Sequence, residues 1–251
     1  MADLNDRCPT GIKGFDELVS GGLPRGRSIL VSGECGTGKT IFGAQFIHNG
    51  ARGYGEPGVL VLLEQNPEEF KRDMSAFGMD FDKLEAEGKI IIIDASLSRL
   101  GAEAMISSLP VSSESFSLLP GETTIEHLTD VVVRAARNLK ASRVTIDSLP
   151  ALEFLVQGDL DVRRLLLQMN YRLKEDGLTT VIVSEMGDGG YSATHGVERY
   201  VVDGVVSLHY TKVGPTAGRT LTIDKMRNTS HSEDIHTMKF MAGSGIEVLS
   251  E

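Results

Sequence analysis

Short runs of apolar residues alternate with segments of helical period along most of this chain. Residues 28–32 (SILVS), 59–64 (VLVLLE), 90–94 (IIIID), 143–147 (RVTID) and 179–184 (TTVIVS) are compact and nearly continuous in apolar or β-branched side chains. A strand covered by helices on both faces needs no polar alternation, so such runs predict a parallel sheet sandwiched between helices. Residues 39–50 form a helical segment directly after a glycine-rich turn. A second helix starts near Pro67, with Asn66 as its cap and Pro67 at the first helical position, where a missing N–H costs no hydrogen bond. Leu128, Val131, Val132, Ala135 and Leu139 recur at helical spacing within 123–140. The same period runs through 161–176 and stops at Gly177, a residue suited to the left-handed turn that ends a helix.

The rhythm changes after Gly204. Residues 205–211, 219–226 and 235–240 read as strands with no room for helices between them, which predicts an antiparallel extension of the main sheet. No linker, repeat or low-complexity tract interrupts the chain, so residues 1–251 are expected to form a single α/β domain. The Ser-rich segment from Leu97 to Pro120 shows no sustained period and is expected to be a long loop. Loops of that length in compact domains often carry function, and this one is a candidate docking surface for a protein partner.

Composition narrows the function classes. The formal net charge of −10 gives no long-range attraction to nucleic acid or to an anionic membrane. The longest aliphatic runs are too short to span a bilayer, and no basic segment followed by an apolar one opens the chain, so a cytoplasmic location is expected. Two cysteines, Cys8 and Cys35, are too few and too far apart for a disulfide framework or a zinc site. The sequon Asn228-Thr229-Ser230 would go unused in such a compartment.

Gly33-Glu34-Cys35-Gly36-Thr37-Gly38-Lys39-Thr40 fits the phosphate-binding pattern G-x-x-x-x-G-K-[ST], with a strand expected before it and a helix after it. Gly36 and Gly38 let the backbone curl so that successive N–H groups converge on phosphate oxygens, and the positive end of the following helix adds to them. Lys39 can reach the β- and γ-phosphates, and the Thr40 hydroxyl can ligate Mg²⁺. Cys35 occupies a variable position of this loop, where a small residue is tolerated and where a helix N-terminus can activate a thiol. Mg²⁺ also needs an acidic residue at the end of a neighbouring apolar strand. Asp147 and Asp94 both satisfy that requirement. Glu64 ends the 59–64 run, where a carboxylate could activate water, although an ordinary solvated glutamate at a strand edge would look the same.

Beyond this loop, the chain resembles the KaiC-like group of RecA-like ATPases over nearly its whole length. The likeness is carried by Thr10-Gly11-Ile12-Lys13-Gly14-Phe15-Asp16-Glu17-Leu18 and Gly21-Gly22-Leu23-Pro24-Arg25-Gly26 before the phosphate loop. It continues through Glu64-Gln65-Asn66-Pro67-Glu68, Val144-Thr145-Ile146-Asp147-Ser148 and Gly196-Val197-Glu198-Arg199-Tyr200, and ends in Lys225-Met226-Arg227-Asn228-Thr229-Ser230-His231. The resemblance implies a RecA-like fold holding Mg²⁺ and ATP between subunits of a homo-oligomeric ring, commonly a hexamer. It implies that Asp147, rather than Asp94, is the Mg²⁺ ligand, and that Glu64 is the first of two adjacent catalytic carboxylates. It also implies that Lys225 and Arg227 reach the γ-phosphate of a neighbour, with His231 close behind at the nucleotide.

Two departures matter. Gln65 replaces the second carboxylate, and Gln can orient water but cannot take its proton, so slow hydrolysis is expected. Arg199-Tyr200 stands where members with an autokinase domain carry adjacent Ser and Thr phosphorylation sites, which argues against an autokinase timer. The expected activity is a slow ATPase. The alternative is an ATP-dependent assembly or docking switch with little hydrolysis.

Overall fold

The computed structural model describes residues 6–96, 124–153, 159–186, 197–213 and 216–249, and the expected loop from Leu97 to Pro120 lies outside them. Nine strands form one sheet. In chain order they are β3 (Ser28–Gly33), β4 (Gly58–Leu62), β5 (Ile90–Asp94), β6 (Arg143–Asp147), β7 (Thr179–Glu185), β8 (Gly204–Val213), β9 (Thr216–Met226), β10 (His236–Met241) and β11 (Gly245–Val248). Their order across the sheet is β11-β10-β9-β8-β3-β7-β6-β4-β5. From β8 to β5 every neighbour pair is parallel, and from β8 to β11 every pair is antiparallel. The antiparallel extension expected after Gly204 is present and gains a fourth member, β11. Its four residues, Gly245-Ile246-Glu247-Val248, are too few to show a period. A small ribbon of β1 (Arg7–Cys8) and β2 (Leu23–Pro24) precedes the sheet.

The five apolar runs become strands because helices cover both faces. On one face, α1 (Lys39–Gly53), α2 (Pro67–Ser75) and α3 (Phe81–Ala86) bury Phe42, Phe46, Phe70 and Phe81 against β3, β4 and the antiparallel strands. On the other, α4 (Ile125–Leu139), α5 (Leu149–Glu153) and α6 (Asp159–Glu175) accompany a second cluster that includes Leu128, Val132, Ile146, Leu173 and Val205. Each fully buried Leu, Ile or Phe stabilises the fold by roughly 1.5–3 kcal/mol, so both layers are needed to hold so wide a sheet. A short helix α7 (Val197–Val201) leads into β8.

The helix ends follow their local chemistry. The Asn66 side chain accepts from the Glu69 N–H at 3.0 Å, with Pro67 next to it, so α2 begins at the expected residue. Thr124 caps α4 through the His127 N–H at 3.1 Å. Gly177, with φ of 69°, follows the end of α6. Lys140 ends α4 in a left-handed conformation with φ of 56°, although no glycine stands there to announce it. Short α3 carries too few residues for its period to be read in advance.

Candidate functional site

Strand β3 delivers the chain into the phosphate loop, and α1 leaves it, as the motif requires. Gly36 and Gly38 have φ of 75° and 106°, conformations that a side chain would strain. Gly38 is doubly constrained, because a Cβ there would lie 2.6 Å from the Phe240 ring. The Lys39 ammonium donates to the Gly33 and Glu34 carbonyls, both at 2.9 Å. The loop thus holds its own lysine folded back over the cradle. A cleft of about 270 Å³ lies here, and Gly36, Gly38, Lys39, Thr40, Glu64, Asp147, Ser148 and Glu185 contribute to its wall.

Asp147 stands at the carboxyl end of β6 and pairs through its side chain with the Thr40 hydroxyl. Burial in the cleft pushes its carboxyl up to about 6, and the charge of Glu64 adds to the push, while Thr40 and Lys39 oppose it. A carboxylate and a hydroxyl brought together as hard oxygen donors, with the carboxylate short of positive charge, fit a divalent cation. Asp94 lies on the edge strand β5, and its carboxylate accepts from the Ser96 N–H at 3.1 Å and the Ser96 hydroxyl at 2.7 Å. Of Asp94 and Asp147, the second is the one beside the phosphate loop. The Glu64 carboxylate accepts a hydrogen bond from Ser148, whose peptide bond to Asp147 is cis. Gln65 points elsewhere: its amide donates to Asp73 of α2 at 2.8 Å.

Lys225, Arg227 and His231 are not near this cleft. Strand β8 runs beside β3 with Val205 opposite Leu30 and Leu208 opposite Gly33, and Lys225 pairs with Val205. The Arg227 N–H donates to the Asp203 carbonyl at 2.9 Å, and the Asp203 N–H donates to the Ser28 carbonyl at 2.8 Å. Arg227 is therefore level with Ser28, about 16 Å along the strand from Gly33 at 3.3 Å per residue. Neither cation reaches the phosphate loop of its own chain. The His231 ring nitrogen lies 2.9 Å from the Ser232 carbonyl oxygen, and the Ser232 N–H donates to the Leu18 carbonyl at 3.0 Å.

A β-bulge aims these cations. Lys225 pairs with Val205 but Ile223 pairs with Val206, leaving Asp224 as the extra residue. In a regular strand Asp224 and Lys225 would face opposite ways. Here the Asp224 carboxylate takes hydrogen bonds from Arg199, from Ser207 at 2.6 Å and from Thr222 at 2.9 Å. The Lys225 ammonium turns to the same α7 segment and donates to the carbonyls of Arg199 at 3.1 Å and Val202 at 2.7 Å. Burial, together with the positive charges of Arg227 and Arg199, holds its pKa below the ordinary lysine value despite Asp203. Arg227 keeps its side chain 55% exposed and pairs, among the described residues, with Asp203 at 3.6 Å.

Three residues at the cleft escaped the sequence reading. Arg219 donates to the Gly36 carbonyl at 3.0 Å and lies 4.0 Å over the Phe240 ring, pinning the outside of the loop. Phe240 and Glu185 both line the cleft. None of the three belongs to a local motif, and only the pairing of β8, β9 and β10 beside β3 carries Arg219 and Phe240 there. Of the two cysteines, Cys35 is exposed at the loop, whereas Cys8 is buried and its thiol is pushed up to about 11, chiefly by desolvation. Among the described residues no group of His, Cys, Asp and Glu could hold a metal by protein side chains alone, and no helix is long and apolar enough to cross a membrane.

Comparison with known proteins places this geometry. The family described as "ATPase: KaiC" matches residues 8–251. The circadian clock oscillator protein KaiC of Parasynechococcus marenigrum is 38% identical over 226 residues, which is 90% of this chain and 41% of that protein. The same-named protein of Synechococcus elongatus is 40% identical over 223 residues, 88% of this chain and 40% of its own length. The chain thus spans less than half the length of these relatives. The crystal structure of a KaiC-like protein from the hyperthermophilic archaeon Pyrococcus horikoshii superposes with a TM-score of 0.81 at 34% identity, covering 97% of this chain and 99% of that one.

Proposed function

The chain belongs to the KaiC family of RecA-like ATPases, and from that premise we propose that it binds Mg²⁺ and ATP on the loop Gly33–Thr40 and hydrolyses ATP slowly at the subunit interfaces of a homo-oligomeric ring. The observation that carries this reading is the separation of its parts. The phosphate cradle sits at the carboxyl end of β3, while Lys225 and Arg227 sit farther back along the sheet, out of reach of their own loop, Lys225 held by the carbonyls of Arg199 and Val202 and Arg227 exposed. A cation placed there cannot serve its own loop, which supports reading it as serving the loop of another copy of the chain.

In this reading the loop N–H groups and Lys39 hold the phosphates. Thr40 and Asp147 would hold Mg²⁺, which when bound neutralises phosphate charge. Glu64 accepts a proton from the attacking water, and Ser148 keeps its carboxylate turned into the cleft. Arg227 and Lys225 of the neighbouring subunit stabilise the charge that develops on the γ-phosphate, with His231 close to the same nucleotide. Gln65 has a secondary place, since its amide must leave Asp73 before it can orient water.

A second reading, an ATP-gated assembly or docking switch that hardly turns over, is favoured by that same Gln65 contact, which leaves Glu64 as the lone base. Steady-state phosphate release with Mg-ATP decides between them. Turnover in the wild type that is lost in both Glu64→Gln and Arg227→Ala supports the ring ATPase. Nucleotide binding with no phosphate release in the wild type supports the switch.

A further inference from the structure

Asp203 is a fully buried carboxylate between α7 and β8, outside the cleft described above. It is a junction of four elements. The Lys174 ammonium, at the end of α6, donates to it at 2.8 Å, and Arg27, just before β3, donates at 3.2 Å. The Ser28 N–H approaches at 3.4 Å, and the Arg227 guanidinium lies at 3.6 Å. Its backbone completes the frame, because its N–H meets the Ser28 carbonyl and its carbonyl receives the Arg227 N–H. The carbonyls of Arg199 and Val202, which hold Lys225, belong to the same stretch of chain.

We propose that Asp203 is a positioning residue, whose carboxylate aims Arg227 at the nucleotide of the neighbouring subunit and references that aim to the first residue of β3. The proposal rests on the intersubunit reading above. Lys174 and Arg27 fix the carboxylate from two sides, so it is a rigid anchor, whereas Arg227 is half-exposed and has no other side-chain tether among the described residues. A long, exposed arginine without an anchor samples many rotamers, and an orienting contact that restricts it raises the fraction aimed correctly. Misplacement of a catalytic group by about 1 Å can cost ~100-fold in rate. Asp203 also joins Arg227 to the strand that ends in the phosphate loop of the same subunit, so the donor and acceptor roles of one subunit share a single rigid reference.

The test uses mixed rings. Asp203→Asn keeps the size of the side chain but removes its charge, and is expected to lower kcat about 10- to 100-fold while leaving the dissociation constant for ATP within about twofold. Glu64→Gln subunits lack turnover of their own but carry an intact Arg227. Mixing them with Asp203→Asn subunits is expected to restore phosphate release to the level reached by mixing them with Arg227→Ala subunits. Adding Asp203→Asn to Arg227→Ala is expected to cause no further loss. Rescue of the Arg227→Ala mixture but not of the Asp203→Asn mixture would overturn the proposal, as would a multiplied loss in the double variant. Absence of rescue for Arg227→Ala itself would instead overturn the intersubunit reading. Lys174→Met loosens the same anchor and is expected to lower kcat in the same direction as Asp203→Asn, by less, with the loss rescued by the same Glu64→Gln mixture. A loss of turnover in Lys174→Met that this mixture does not rescue would mean that Asp203 serves the fold alone. Should Asp203→Asn not fold, Asp203→Glu keeps the charge but displaces the anchor, and the same mixture is read with it.

Discussion

The two ends of the sheet are built by opposite strategies. At the carboxyl ends of β3 and β6, eight consecutive residues and one strand-terminal aspartate assemble a cradle from backbone N–H groups and a helix terminus. At the other end, Lys225 and Arg227 owe their placement to a bulge, to three carbonyls of the Arg199–Asp203 stretch and to one buried carboxylate. A site made of backbone geometry is short-range and tolerant of its surroundings. A site made of long side chains needs an external frame to hold them, and here residues far apart in the sequence supply it.

Breaking the cradle end should have the largest effect. Lys39→Ala is expected to abolish nucleotide binding, measured by titration calorimetry, since the ammonium is the one cation among the described residues inside the loop. Binding within a few-fold of wild type would mean that backbone groups alone carry the affinity. Next in size is Glu64→Gln, expected to retain binding and to lower phosphate release by about 10²–10⁴-fold. Equal turnover in that variant would remove Glu64 from the reaction.

Breaking the opposite end should cost somewhat less. Arg227→Ala is expected to lower kcat by about 10²–10³-fold, the scale of one lost charge-stabilising donor, without weakening ATP binding by more than a few-fold. If the loss appeared in binding instead, Arg227 would be a ground-state contact. The smallest effect expected is with pH. Mg²⁺ must displace the proton from an Asp147 carboxyl raised to about 6, so the affinity for Mg-ATP should fall about tenfold per pH unit below 6. For the stability of the chain itself the sign is the reverse. The folded chain releases that proton less readily than the unfolded one, so this group costs stability as pH rises from the ordinary carboxylate value through 6. Asp203 behaves oppositely. Burial raises its pKa, but Lys174, Ser28 and Arg27 outweigh that and hold it below the usual value. Its contribution is present at neutral pH and is lost as pH falls below the ordinary carboxylate range, which acid unfolding of Asp203→Asn beside the wild type would expose.

Much of the fold was legible because its strands and longer helices have strong periods of their own. Every parallel strand lies within a residue or two of its apolar run, and Asn66-Pro67 fixed the start of α2 by local chemistry alone. What was missed was short or decided elsewhere. Ile246 and Val248 are buried only because β10 supplies an edge for them to pair with. Lys140 takes a glycine's conformation because the turn into β6 demands it. At the cleft, the phosphate loop, Asp147 and Glu64 stood in the sequence as motif and strand ends, and their meeting follows from parallel strands sharing one carboxyl end. Gln65 is adjacent to Glu64 in sequence but is drawn to Asp73 by α2.

The sequence by itself determined the phosphate chemistry and the class of the fold. Turn geometry, capping and hydrophobic period are properties of a few neighbouring residues, and they survive in any arrangement that buries the apolar runs. Only the tertiary structure decided that Lys225 and Arg227 face away from their own loop, that Asp224 and Lys225 turn to the same helix, and that Arg219 and Phe240 close over Gly36 and Gly38. Those placements depend on strand order and on one extra residue in β9. A one-residue shift in register reverses the face of every side chain along a strand, and nothing within the strand's own sequence specifies which partner will impose it.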